Sequence, residues 1–263
     1  MATSTLTDAP ALTEAQIEHY RQQGYLIVRG LFSAADVEEA LAEADRLLQM
    51  RDLIATENLR CRWQPHVKTQ ECLFECFDPV IDIGPVCARL AHDPRLLQVL
   101  GDLYGEEACL FKDKLIYKPP GAKGYDLHQD FIAWRDFPRT FLTALIAFDA
   151  TGLDNGCTMI YPGYHHNGCL APEDGDYHPL PKETVDEAKA VPLILDPGDV
   201  AIFGCFTPHN SAPNQSERWR RQLYLSYNAF SDGGHRRDQH YQEFHAWLRK
   251  KYAAYGKHFV YFK

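Results

Sequence analysis

No apolar run in this 263-residue chain approaches the ~18 residues that a membrane-spanning helix needs. The N-terminal stretch MATSTLTDAPALTEAQ has no apolar core, so a secretory signal is not expected. Internal repeats and low-complexity segments are missing too. Positive charge is scarce: 27 Lys and Arg stand against 36 Asp and Glu, a formal net charge of -9. The short basic runs, Arg218 with Arg220 and Arg221, and Arg249 to Lys251, have acidic or neutral flanks. Neither nucleic acid nor a membrane is therefore an expected partner, since a nucleic-acid binder carries a basic patch. The eight cysteines are irregularly spaced, and only Cys72 and Cys76 are close. Free, mostly buried thiols in a reducing cytoplasm fit better than a disulfide framework.

What is present is a globular composition, 45% hydrophobic and 24% charged, and a single domain over 1–263 is expected. Residues 1–11 read as loose. Thr13-Glu14-Ala15-Gln16 fits a capping box and predicts a helix to about Gln23, stopped by Gly24. Tyr25 to Val28 reads as a strand. Ser33 caps a helix from Ala34 to about Met50, with apolar residues at Val37, Ala40, Leu41, Ala44 and Leu48. Asp93-Pro94 opens a further helix to about Gly105.

From Ala108 the pattern changes to short β-type runs separated by Gly, Pro, Asn and Asp: 108–118, 125–132, 141–149, 157–161, 191–195, 199–204 and 221–230. These predict an all-β sandwich or barrel. The polar insertion 162–190 reads as a long loop, a candidate lid. A last helix is expected over Arg237 to Tyr255.

Chemistry concentrates in YDLHQDFIAWRD, residues 125–136. On a strand, residues two apart share a face, so His128 and Asp130 project together and Gln129 points away. An imidazole and a carboxylate fill two positions of a divalent metal. The third ligand of a 2-His-1-carboxylate triad is offered by His209, just past the strand of GDVAIFGCFTPHNS. His165, His166, His235, His240 and His245 lack a matching carboxylate and read as surface residues.

Four segments, in this order, resemble the phytanoyl-CoA dioxygenase family of Fe(II)- and 2-oxoglutarate-dependent oxygenases: LTEAQIEHYRQQGYLIVRGLFSAADVEEA, IYKPPGAKGYDLHQDF, DNGCTMIYPGYHHNG and PGDVAIFGCFTPHNSAPNQSERWRRQ. The resemblance implies a mainly β fold with helical additions, a double-stranded β-helix (cupin-like jelly roll) with N-terminal helices and a C-terminal helix. It implies Fe(II) on His128, Asp130 and His209, which are then the catalytic residues, with 2-oxoglutarate and O2 as co-substrates. Arg220, eleven residues after His209, would hold the far carboxylate of 2-oxoglutarate, assisted by Ser211. A planar guanidinium suits that bidentate pairing. Arg218 and Arg221 read as solvated charges. Ile116 is apolar where some relatives carry a polar co-substrate contact, leaving Lys112 or Lys114 as substitutes. Tyr164 replaces the family's usual serine and adds bulk near the site.

The implied reaction couples oxidative decarboxylation of 2-oxoglutarate, giving succinate and CO2, to hydroxylation of an unactivated C–H bond. Because Asp130 is present, hydroxylation is expected rather than halogenation. HQDFIAWRD is similar to members acting on amino acids and related metabolites, so the expected substrate is a small polar metabolite, amino-acid-like or an intermediate of secondary metabolism. Trp134, Phe131, Arg135 and Tyr224 are the candidate substrate contacts. For Trp134 a core aromatic is an equal reading. One of Lys112 and Lys114 could anchor a carboxylate or phosphonate, exposure on an edge strand being the alternative. The other functional readings are a hydroxylase of a lipid-like or acyl-CoA substrate and a non-catalytic cupin-like binding protein. Monomer and homodimer both stay open.

Overall fold

A computed structural model describes residues 11–55, 58–134 and 137–255. The expected loose N-terminus thus falls, but for Ala11, outside the described residues, as does Arg135.

Two antiparallel sheets form the frame. The larger runs in the order β1 (Tyr25–Val28), β9 (Val200–Gly204), β6 (Leu142–Ala147), β11 (Arg220–Ala229), β4 (Ala108–Lys118), β3 (Cys72–Phe77), β2 (Cys61–Pro65). The smaller runs β5 (Tyr125–His128), β10 (His209–Ser211), β7 (Thr158–Ile160), β8 (Val191–Pro192). Alternation sorts the larger sheet's faces. Leu115, Tyr117, Leu223 and Leu225 point one way, into a core shared with Ala44, Leu47, Leu96 and Leu100 of the helices. Ile116, Leu145, Ala201, Phe203 and Tyr224 point the other way, toward Ile160 of the small sheet.

The helices α1 (Glu14–Gln23), α2 (Ala34–Gln49), α4 (Pro94–Tyr104) and α5 (Arg237–Tyr255) stand where the sequence places them. Thr13 and Ser33 both make reciprocal capping boxes, with Gln16 and Asp36. Gly24 ends α1 at φ 80°, a left-handed conformation that favours glycine. Helix α3 (Pro85–Ala91) and the β2–β3 hairpin are not foreseen by the sequence reading. α3 has no side-chain cap of its own; the Glu43 carboxylate of α2 accepts from Val86 N (2.9 Å) and Cys87 N (2.8 Å). Such a cap is tertiary and leaves no local signature.

Three further expectations change. β5 ends at His128, short of the run to 132, and Asp130 lies in a bend beyond it. The 162–190 insertion is not wholly polar loop: it holds three 3₁₀ turns, and its Leu180 and Val185 are buried with Leu127 and Tyr161. β4 is not an edge strand, being paired by β11 and β3, so its lysines are not edge residues. All eight cysteines are free, and six are buried. No helix of the described residues is long and apolar enough to cross a membrane.

Candidate metal and co-substrate site

The small sheet brings the proposed ligands together. β10 is three polar residues long, too short to read from pattern, and it forms because β5 and β7 pair with both its edges. In that register His209 lies directly opposite His128, and the ring centroids are 4.2 Å apart. Asp130 Oδ1 is 3.9 Å from His128 Nε2 and 3.8 Å from His209 Nε2. One atom from each residue lies within 4.8 Å of the others.

The surroundings prepare these atoms. His128 Nδ1 is 2.7 Å from Asp126 O, and His209 Nδ1 is 3.0 Å from Thr207 O. Each carbonyl fixes the proton on Nδ1 and leaves the lone pair of Nε2 free to ligate at the centre. Burial, reinforced by His209, holds the His128 pKa far below the ordinary histidine value, so its ring is neutral. Burial would raise the Asp130 pKa, but His209, Lys114 and His128 outweigh it and keep the carboxylate ionised. Thr143 Oγ1 donates to Asp130 Oδ2 at 3.1 Å. Two imidazoles and one carboxylate, grouped on one side, fit a non-haem Fe(II) ion with open positions.

Arg220 and Lys118 face each other across the β11–β4 ladder. Both are buried without an ion pair among the described residues. Arg220 Nη1 and Lys118 Nζ donate to the same acceptor, Gly156 O, and Lys118 Nζ is 3.0 Å from both that oxygen and Ser211 Oγ. Gly156 sits at φ 65°, and a Cβ there would stand 2.2 Å from Ala212 O and 2.8 Å from Lys118 Nζ. Only glycine brings its carbonyl between the two basic side chains. Arg220 Nε and Nη2 are buried with no partner. Unpaired buried donors on a cation are costly, and a carboxylate would satisfy both.

A cavity of about 590 Å³ opens onto the cluster. Ser211, Tyr224, Trp134, Lys112, Lys114 and Tyr177 line it along with the three ligands. Arg220 is buried and does not itself line this cavity. The insertion covers this mouth. Gln129 Nε2 donates to Gly168 O (2.9 Å) and Phe206 O (2.6 Å), and its Oε1 accepts from Leu170 N (2.7 Å). Trp134 Nε1 donates to Gly175 O, and the Tyr177 ring lies 5.7 Å from that of His128.

Several sequence assignments need correction. Phe131 does not line the cavity; it packs with Phe111, Phe141 and Cys205. Lys114 lies four residues from Lys118 along β4, ~13 Å at strand rise, so Lys118 is the lysine beside Arg220. Arg221 is not a solvated charge: it is mostly buried and holds Asp149 with Nε and Nη2 and Asp45 with Nη1. Arg218 is exposed, though it pairs with Asp154 at 2.8 Å. His240 is not at the surface; it is buried and stacked on Phe244. Tyr164 stays off the cavity wall, and its hydroxyl accepts from Asp186 N. Lys118 and Gln129 were missed. Extending the alternation from Lys112 and Lys114 by two steps reaches Lys118, whereas Gln129 carries no such signal.

Comparison with known proteins agrees with this geometry. The sequence profile described as phytanoyl-CoA dioxygenase (PhyH) matches residues 20–222. A methylphosphonate hydroxylase of Gimesia maris is 31% identical over 258 residues, 92% of this chain and 88% of that protein. A 2-aminoethylphosphonate dioxygenase from an uncultured bacterium is 29% identical, covering 86% of this chain and 85% of its own length. Among solved structures, EctD from S. alaskensis with 2-oxoglutarate and 5-hydroxyectoine superposes with a TM-score of 0.70 at 24% identity, over 88% of this chain and 80% of that one.

Proposed function

The chain belongs to the phytanoyl-CoA dioxygenase family of Fe(II)- and 2-oxoglutarate-dependent oxygenases, and from that membership we propose that His128, Asp130 and His209 hold the iron, with Arg220 and Ser211 holding 2-oxoglutarate, for hydroxylation of a C–H bond in a small polar metabolite. The observation that carries the reading is a pairing of two features: the ligand cluster on the cavity wall and a cation buried outside the lining, with Ser211 on the wall beside Lys118. One is a three-ligand cluster of two imidazoles and a carboxylate; the other is a buried arginine with two unpartnered donors.

Bound iron would supply activation of O2, coupled to decarboxylation of 2-oxoglutarate to succinate and CO2. The chain's own residues do the rest. The carbonyls of Asp126 and Thr207 orient the two imidazoles, and Thr143 orients Asp130. Arg220 fixes the far carboxylate of 2-oxoglutarate, and Ser211 donates to it. Tyr177, Trp134 and the loop they face keep bulk water out.

A cavity of about 590 Å³ is of small-molecule size, which favours a metabolite over an acyl-CoA. Methylphosphonate, 2-aminoethylphosphonate and ectoine are the first candidates, ahead of larger intermediates of secondary metabolism. The eight free thiols suit a reducing, cytoplasmic setting. The test is succinate formation with each candidate, with acyl-CoA esters as controls. Candidate-dependent succinate supports the reading. Succinate stimulated only by acyl-CoA would move the substrate class, and none under any condition would leave a binding protein.

A further inference from the structure

Lys112 and Lys114 sit on the inner face of β4 and take no part in the arrangement around Arg220. The ladder places them. Asp130 Oδ2 accepts from Thr143, whose Oγ1 is 3.1 Å from Ser226 Oγ, and Ser226 lies opposite Lys112. The level of the metal cluster is therefore the level of Lys112. Lys114, one same-face step away, lies opposite Tyr224 with Nζ 5.1 Å from the ring centroid. Arg62 of β2 reaches the same wall.

The charges here do not balance. Lys112 Nζ is 3.4 Å from Asp78 Oδ2, and Arg62 pairs with the same oxygen. Tyr241 also donates to that carboxylate, so one buried acid serves two cations. Glu75, the other acid on this wall, accepts from the Tyr125 hydroxyl. Lys114 makes no hydrogen bond or ion pair among the described residues. At the exposed mouth stand one residue of each sign, Lys123 and Asp126. Burial, then Arg62 and Lys114, push the Lys112 pKa well below the usual lysine value, a penalty that a bound anion would relieve.

The type of cation distinguishes the anion. Arg220 presents the planar fork that suits a carboxylate. Lys112 and Lys114 present two ammonium point charges, ~7 Å apart at the backbone, which can converge on a tetrahedral oxyanion from two sides. We infer that Lys112 and Lys114, backed by Arg62, form the subsite for the substrate's head group, and that this group is a phosphonate-type dianion. The inference builds on the oxygenase reading above by naming what the substrate end of the same cavity recognises.

The test uses the full chain loaded anaerobically with Fe(II) and 2-oxoglutarate, whose visible charge-transfer band reports the loaded state. It is titrated calorimetrically with methylphosphonate, acetate and the neutral dimethyl ester of methylphosphonate. Methylphosphonate is expected to bind at least tenfold tighter than acetate, and the ester not at all. Lys114→Met should weaken methylphosphonate at least tenfold while the band persists, and Lys114→Arg should recover part of the loss. Equal binding of dianion and ester, preference for acetate, no binding of any probe, or an unaffected Lys114→Met protein would each overturn the inference. Absence of the band itself would instead count against the oxygenase reading, and the same titrations on the metal-free protein would then judge the subsite alone.

Discussion

Ser211 Oγ lies 3.0 Å from Lys118 Nζ and 3.2 Å from Tyr125 N, and both are donors. Both lone pairs of the hydroxyl are therefore engaged, and its proton is left to donate into the cavity. A serine held in this way acts on an acceptor such as a carboxylate. Ser211→Ala should raise the KM for 2-oxoglutarate. A hydrogen bond to a charged group contributes about 1.5–3 kcal/mol, so a rise of roughly tenfold or more is expected in steady-state succinate assays.

Arg220→Lys keeps the charge and loses the fork. The two donors now without partners, Nε and Nη2, are the ones a lysine cannot reproduce. The KM for 2-oxoglutarate should rise by about ten- to a hundredfold, taking a loss of ~1.4–2.8 kcal/mol, with the circular dichroism spectrum unchanged. An unchanged KM would show that Lys118 alone holds the carboxylate.

Gln129 ties the covering loop to the barrel, with two hydrogen bonds to the loop, at Gly168 and Leu170, and a third to Phe206 O. Gln129→Leu would leave Leu170 N and two carbonyls unsatisfied, at about 1–3 kcal/mol for each group that stays buried. A lower melting temperature and faster proteolysis within the loop are expected. Water entry should also increase succinate formed without substrate oxidation, read as the ratio of succinate to hydroxylated product.

His240 gives the metal-free protein an acid sensitivity. Burial lowers its pKa well below the usual 6.5, and Lys112, His245, Arg62 and Arg237 lower it further. The unfolded chain gains a proton as pH falls through about 6.5, while the folded chain does not. Stability is therefore lost as pH falls below that point, by up to about 1.4 kcal/mol per pH unit. His240→Phe fills the same aromatic stack and should make the melting-temperature profile between pH 7 and 5 less steep, the remaining slope belonging to His128 and His245, whose pKa values are also lowered by burial. A mutant profile as steep as the wild type would assign the slope to other groups, His245 among them.

Much of this architecture is legible in the chain because its signals are local. The capping boxes at Thr13 and Ser33, Asp93 before Pro94, and the run 108–118 each carry their own instructions. The grouping of the three candidate ligands is legible for another reason: His128 and Asp130 are close in sequence, and His209 is marked by the family pattern. What escapes is set by tertiary contact. β10 exists through its two neighbours, α3 is capped by Glu43 from another helix, and His240 is buried because Phe111, Phe244 and Trp134 surround it. Phe131 shows the limit of alternation, since the strand has already ended at His128.

The central claim is that His128, Asp130 and His209 form an iron site continuous with a 2-oxoglutarate site. Anaerobic addition of Fe(II) and then 2-oxoglutarate tests it directly, by the visible metal-to-ligand charge-transfer absorption of the chelate. The account predicts that band in the wild-type protein and its loss in Asp130→Ala. A folded wild-type protein that gives no band, or an Asp130→Ala protein that gives the full band, would contradict it.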